Sequence, residues 1–148
     1  MPGLAAKDVI DIQITVVALD DRIITAMTAL GYSHVEVIRR DHRPPNFAGL
    51  EIEWEKWYFR PPPGQRPTNT HVRVLGRANQ RYALLFRDFL RSHSATAEAY
   101  AELKRRLVQR LADLKSYPDV KDPAVDLIYL AAEEWATAIH WQLGPSNA

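Results

Sequence analysis

Asp11 is the side chain in this sequence best placed to do chemistry. It stands four residues after Lys7, in a stretch (8–17) that alternates apolar and polar residues from Ile10 to Val16. A period of two is strand patterning. Asp11, Gln13 and Thr15 then share one face, and Ile10, Ile12, Ile14 and Val16 share the other. A carboxylate on a strand face suits Mg²⁺, a hard cation that takes oxygen ligands. Two-metal chemistry wants a second acid two residues on, aimed at the same ions. Gln13 holds that position here and brings an oxygen without a charge. The plainer alternative for Asp11 is a polar strand residue capped by a neighbouring amide. Lys7 can hold a phosphate as a point charge, or be a solvated loop lysine.

A second group is His71 and Arg73, two apart on a strand that also carries Val72 and Val74 on its other face. Imidazole beside guanidinium makes an anion site or an acid/base pair. The alternative is a half-exposed face paired with Glu51, Glu53 or Glu55 across a sheet. Arg39, Arg40, Asp41, His42 and Arg43 form a charged run, and Arg60 and Arg66 flank a proline-rich loop. Such loops suit polyphosphate, or are solvated charge. His34, His42, His93 and His140 lack metal-ligand spacing. The four tryptophans read as core or rim packing. No P-loop, dinucleotide fingerprint or nucleophile elbow occurs.

These residues need a scaffold. Asp20 or Asp21 caps a helix through Leu30, with Ile23, Ile24, Met27 and Leu30 as its buried stripe. Gly31 stops it. Short strands are expected over 34–38, 51–59 and 70–75, separated by loops rich in proline. From Asn79 the periodicity turns helical. Helices are expected over 79–93, 95–115 and from Asp122-Pro123 to about Leu143. The reading is one domain over 1–148, strand-rich over 8–75 and helical over 79–143.

The chain has 148 residues, no cysteine and a formal net charge of +1. Disulfides, thiolate zinc sites and cysteine nucleophiles are excluded. The charge is too small to imply nucleic acid or an anionic membrane as the main partner. No apolar run approaches the ~20 residues that span a bilayer. A signal-peptide pattern is missing too, so a cytoplasmic location is expected.

Pro2-Gly3-Leu4, Ala6-Lys7 and Ile10-Asp11-Ile12 resemble the opening block of the GrpB family. His71 to Val74 and the run from Asn79 to Arg91 resemble its central block. Tyr117-Pro118-Asp119, Glu133-Glu134-Trp135-Ala136 and His140-Trp141 resemble its tail. The closing residues are also similar to the domain fused behind the kinase in actinobacterial dephospho-coenzyme A kinases. The resemblance implies an α/β (α+β) fold: a nucleotidyltransferase-like mixed sheet flanked by helices, with a helical C-terminal half. It implies a nucleotide or other phosphate-containing ligand, with Lys7 and Asp11 matching the family's first block; on the enzyme reading Lys7, Arg60 and Arg73 hold phosphate in one cleft, Asp11 and His71 are the catalytic candidates, and Asp11 binds Mg²⁺. In the family a His-x-Gly-Ser-Thr-like segment precedes Pro-Gly-Leu; here Met1 stands before Pro2. Either the sequence begins inside that motif or the turn is lost; in the second case, and with Gln13 in place of an acid, the expectation is a site sufficient to bind and insufficient to catalyse. The other readings are a non-catalytic companion module and a small-anion or coenzyme-fragment binder. An uncovered edge on the first strand is expected to favour a homo-oligomer.

Overall fold

The computed structural model describes residues 9–45 and 47–144, the side chain of Leu114 excepted. Two compact units divide between Gln80 and Arg81.

The first unit is built on β1 (Ile10–Val16), α1 (Asp21–Ala29), β2 (Ser33–His34), β3 (Trp57–Arg60) and β4 (Thr68–Val74). The sheet is mixed, in the order β1-β4-β3-β2. β1 runs parallel to β4, and β3 is antiparallel to both β4 and β2. Register opposes Asp11 to Asn69, Gln13 to His71, and Thr15 to Arg73. It opposes Tyr58 to His71 on the other side. The polar positions of three strands therefore share one face. The apolar face packs on α1: Met27, Phe59 and Val72 form its buried centre, with Ile14, Val16, Ile23, Ile24 and Trp57 around them. Asp20 caps α1, its carboxylate accepting from the Arg22 N–H at 2.9 Å. Gly31, at φ +84°, turns the chain out of the helix as expected.

Three expectations need correcting in this unit. The strand predicted over 34–38 is only Ser33–His34, because Ile38 N–H closes a turn on Val35 O at 3.0 Å. The strict alternation over 51–59 is not strand at its start. Glu51–Trp54 is a 3₁₀ turn, with Glu53 N–H on Leu50 O and Glu55 N–H on Ile52 O. The turn puts Trp54 into the interior at 2% exposure, and strand begins only at Trp57. Leu30, expected in the buried stripe, is 68% exposed where α1 ends.

The second unit holds α2 (Ala78–Ser92, whose first turn lies in the sheet unit), α3 (Ser94–Arg110) and α4 (Tyr117–Ala138). Leu85, Phe89 and Leu90 of α2, Tyr100 of α3, and Val125, Tyr129, Ala132 and Ala136 of α4 make its core. Arg81 donates both guanidinium ends to Glu133, and the Tyr129 hydroxyl donates to the same carboxylate. α3 ends five residues before its predicted end, at Arg110, where Leu111 turns extended. α4 starts at Tyr117 rather than at Asp122-Pro123. Pro118 takes the first turn, where a missing N–H leaves nothing unpaired. Pro123 sits inside the helix and removes one backbone bond there without ending it. Among the described residues no helix is long and apolar enough to cross a membrane.

Candidate functional site: the polar face of the sheet

β1, β4 and β3 together present Asp11, Gln13, Asn69, His71, Arg73 and Tyr58 on one face. By alternation Arg60 shares that face at the end of β3 and is exposed. The face has two ends with different chemistry.

At one end, Tyr58 donates its hydroxyl to Asn69 Oδ1 at 2.6 Å, and Asn69 Nδ2 donates to Asp11 Oδ1 at 2.8 Å. Asp11 is exposed and held by an amide, as the plainer reading of the sequence anticipated. At the other end a buried charge cluster gathers on Asp41. Lys56 Nζ reaches Asp41 Oδ1 at 2.6 Å. Arg73 meets both carboxylate oxygens at 2.8 Å. Asn79, fully buried, donates to Asp41 Oδ2 at 3.0 Å and to the Glu55 carbonyl at 2.8 Å. Arg73 also donates to Gln13 Oε1 at 2.7 Å, and Gln13 Nε2 donates to the Gln80 carbonyl at 3.4 Å.

Burial alone would raise the Asp41 carboxyl. Hydrogen bonds and charge from Arg73, then Lys56, outweigh it and hold the pKa at about 2. Burial lowers the Lys56 ammonium from its usual value, and Asp41 opposes that shift. Two cations thus share one anion in a desolvated floor, and the cluster carries one positive charge in excess.

His71 lies between the two ends. Burial first, then the charges of Lys56 and Arg73, push its pKa down to about 4, so its ring is neutral at neutral pH. Its Nδ1 is buried and has no hydrogen-bond partner among the described residues. A polar atom buried without a partner carries a desolvation cost in the folded state. A cleft of about 400 Å³ lies at the β2–β3 side, lined by Leu19, His34, Glu36, Arg39, Arg40 and Trp57 besides Glu55 and Lys56; His34 and Trp57 belong to the side of the sheet that packs on α1, not to the polar face.

The depressed His71 has a measurable consequence. Between pH about 6.5 and about 4 the unfolded chain takes up a proton that the folded chain refuses. Stability therefore falls as pH drops through that window, by at most about 3 kcal/mol. Asp41 adds its own loss only below about pH 3.8, where its unfolded carboxyl begins to protonate. His71→Asn is expected to flatten the urea midpoint between neutral pH and about pH 4. A slope as steep as the parent's would show that another group causes it.

The structure brings together Asp11, His71 and Arg73, and places Arg60 at the Asp11 end. Lys7 lies outside the described residues. Arg73 is clamped rather than free, and its partner is Asp41, not the glutamates proposed across the sheet. Those glutamates go elsewhere. Glu51 pairs with Arg40 at 2.7 Å, Glu53 accepts from the Ala78 N–H at 3.0 Å, and Glu55 lies 3.6 Å from Arg77. Sequence reasoning missed Asp41, Lys56, Asn69, Tyr58 and Asn79. Asp41 was hidden inside an arginine-rich run. Its one usable signal was that an acid there breaks the run's sign.

The family model described as GrpB protein matches residues 1–130. The chain belongs to the GrpB family. It is 36% identical to a dephospho-CoA kinase of Mycobacterium tuberculosis over 154 aligned positions, covering 95% of this chain and 38% of the kinase. It is 30% identical to the UPF0157 protein YqkA of Bacillus subtilis, covering 100% of this chain and 38% of that protein. The chain thus spans about two fifths of the length of these relatives. The crystal structure of the conserved protein GrpB from Enterococcus faecalis superposes with a TM-score of 0.62 at 24% identity, covering 90% of this chain and 76% of that one. That likeness establishes the GrpB fold, with its mixed sheet and helices.

Proposed function

We propose that this GrpB protein binds a phosphate-containing ligand, a nucleotide foremost, on the polar face of its sheet, and that it binds without efficient turnover. The observation that carries the reading is the buried pair Lys56 and Arg73 sharing the single counter-ion Asp41. An excess positive charge in a desolvated floor favours an anion above it.

Asp11 fits Mg²⁺ in a limited way. Mg²⁺ keeps several waters and commonly takes one or two carboxylates plus substrate phosphates. One exposed carboxylate can anchor an ion that arrives with its phosphates. A resident protein cage has less support: among the described residues no group of three His, Asp or Glu side chains is arranged for a metal. When bound, the ion would neutralise phosphate charge next to Asp11.

Weak turnover follows from two side chains. Gln13, where a nucleotidyltransferase-like pair wants its second acid, has its amide tied to Arg73 and Gln80. His71 is a poor general base at neutral pH because its basicity is depressed to a pKa of about 4.

The test is calorimetric titration with ATP, GTP, CTP, UTP and tripolyphosphate, with and without Mg²⁺. Binding is expected, and Asp11→Asn is expected to remove the Mg²⁺-dependent part alone. No heat at millimolar ligand would sink the reading.

A second reading is favoured by the alignment with mycobacterial dephospho-CoA kinases, which covers 95% of this chain. On it the chain is a non-catalytic companion of such a kinase. Co-purification with the kinase of the same cell would support it, and failure to co-purify would count against it.

A further inference from the structure

We propose that the chain pairs with a second copy of itself through the outer edge of β1, continuing the sheet across a two-fold axis. β1 is an edge strand: β4 lies on one side of it, and among the described residues no strand lies on the other. Ile10 N–H reaches Pro67 O at 3.1 Å, and Leu75 N–H reaches Val16 O at 2.8 Å. The even-numbered residues therefore turn their backbone groups toward β4. The N–H and C=O of one strand residue point the same way, so Asp11, Gln13 and Thr15 turn theirs outward.

Edge strands of soluble proteins are commonly blunted by lysine, proline or a bulge. β1 has no lysine, proline or bulge and a single charge, Asp11, and reads Ile-Asp-Ile-Gln-Ile-Thr-Val. The occupant follows from its self-complementarity. An antiparallel pairing centred on Gln13 places Gln13 opposite its copy and Asp11 opposite Thr15. All three outward residues are then satisfied, and no carboxylate opposes a carboxylate. On the other face Ile10 meets Val16, and Ile12 meets Ile14, so the apolar side of one sheet continues into the next. Centring one pair earlier, on Asp11, would set the two Asp11 carboxylates against each other. A two-fold contact of this kind closes on itself and stops at a dimer. None of this rests on the ligand reading.

The experiment is light scattering over a concentration series on the full chain and three variants. The parent is expected to be a dimer that dissociates on dilution. By symmetry Thr15→Lys creates two pairs with Asp11, and Thr15→Asp creates two repulsions. The dissociation constant is expected to fall about tenfold in the first and to rise about tenfold in the second. Thr15→Pro removes an outward N–H and no bond to β4, so it is expected to give a monomer with unchanged circular dichroism. A parent that is monomeric at every concentration overturns the proposal. So does a dimer on which lysine and aspartate at position 15 act alike, or which survives Thr15→Pro.

Discussion

Asp41→Ala is expected to destabilise the sheet unit by about 3–5 kcal/mol, the loss typical of removing one member of a buried ion cluster. The side chains of Asp41, Lys56 and Arg73 are only 14%, 8% and 9% exposed. Without the carboxylate, two cations face each other away from water, and Asn79 loses an acceptor. Most of the loss is the stranded charge rather than the worth of the bonds. Asp41→Ala combined with Lys56→Met is therefore expected to recover part of the stability lost in the single variant. Urea unfolding followed by tryptophan emission reads both. A loss below about 1 kcal/mol for Asp41→Ala would mean that water reaches the cluster and that the floor is not desolvated.

Phe59→Ala is the second large effect, at about 3–5 kcal/mol. Phe59 is fully buried on β3, packs with Met27 and Val72, and lies 5.0 Å from the His34 ring. Truncation leaves a cavity between α1 and the sheet, where fixed backbone on both sides prevents collapse. Val17→Ala, at a residue 88% exposed, is expected to stay within about 0.5 kcal/mol of the parent. A comparable loss in both would show that Phe59 does not hold α1 to the sheet.

The parts of this fold that were legible in the sequence are those where one period or one local stop decides the outcome. Ile10 to Val16 alternates and is strand. Asp20 and Gly31 bracket α1 by capping and by a left-handed turn. The helical stripe of Leu85, Phe89 and Leu90 is the core of the second unit. The misreadings arose where a local pattern competed with burial of one large group. Glu51 to Glu55 alternates as a strand would, yet Trp54 needed the interior and a 3₁₀ turn delivered it. Pro123 reads as a helix start, although Pro118 had already filled that role. The site divides the same way. Asp11, His71 and Arg73 were visible because strand alternation fixes their face. Asp41 and Lys56 were not, because their meeting depends on a loop folding back across fifteen residues of chain. No period encodes such a contact.

The anion-binding polar face is tested most directly by calorimetric titration of the parent and of Asp11→Asn with Mg²⁺–nucleoside triphosphate. Saturable heat is expected for the parent, a weaker and Mg²⁺-independent signal for Asp11→Asn, and competition by tripolyphosphate in both. No heat from the parent with any of the four nucleotides at millimolar concentration, the fold being intact by circular dichroism, would contradict it.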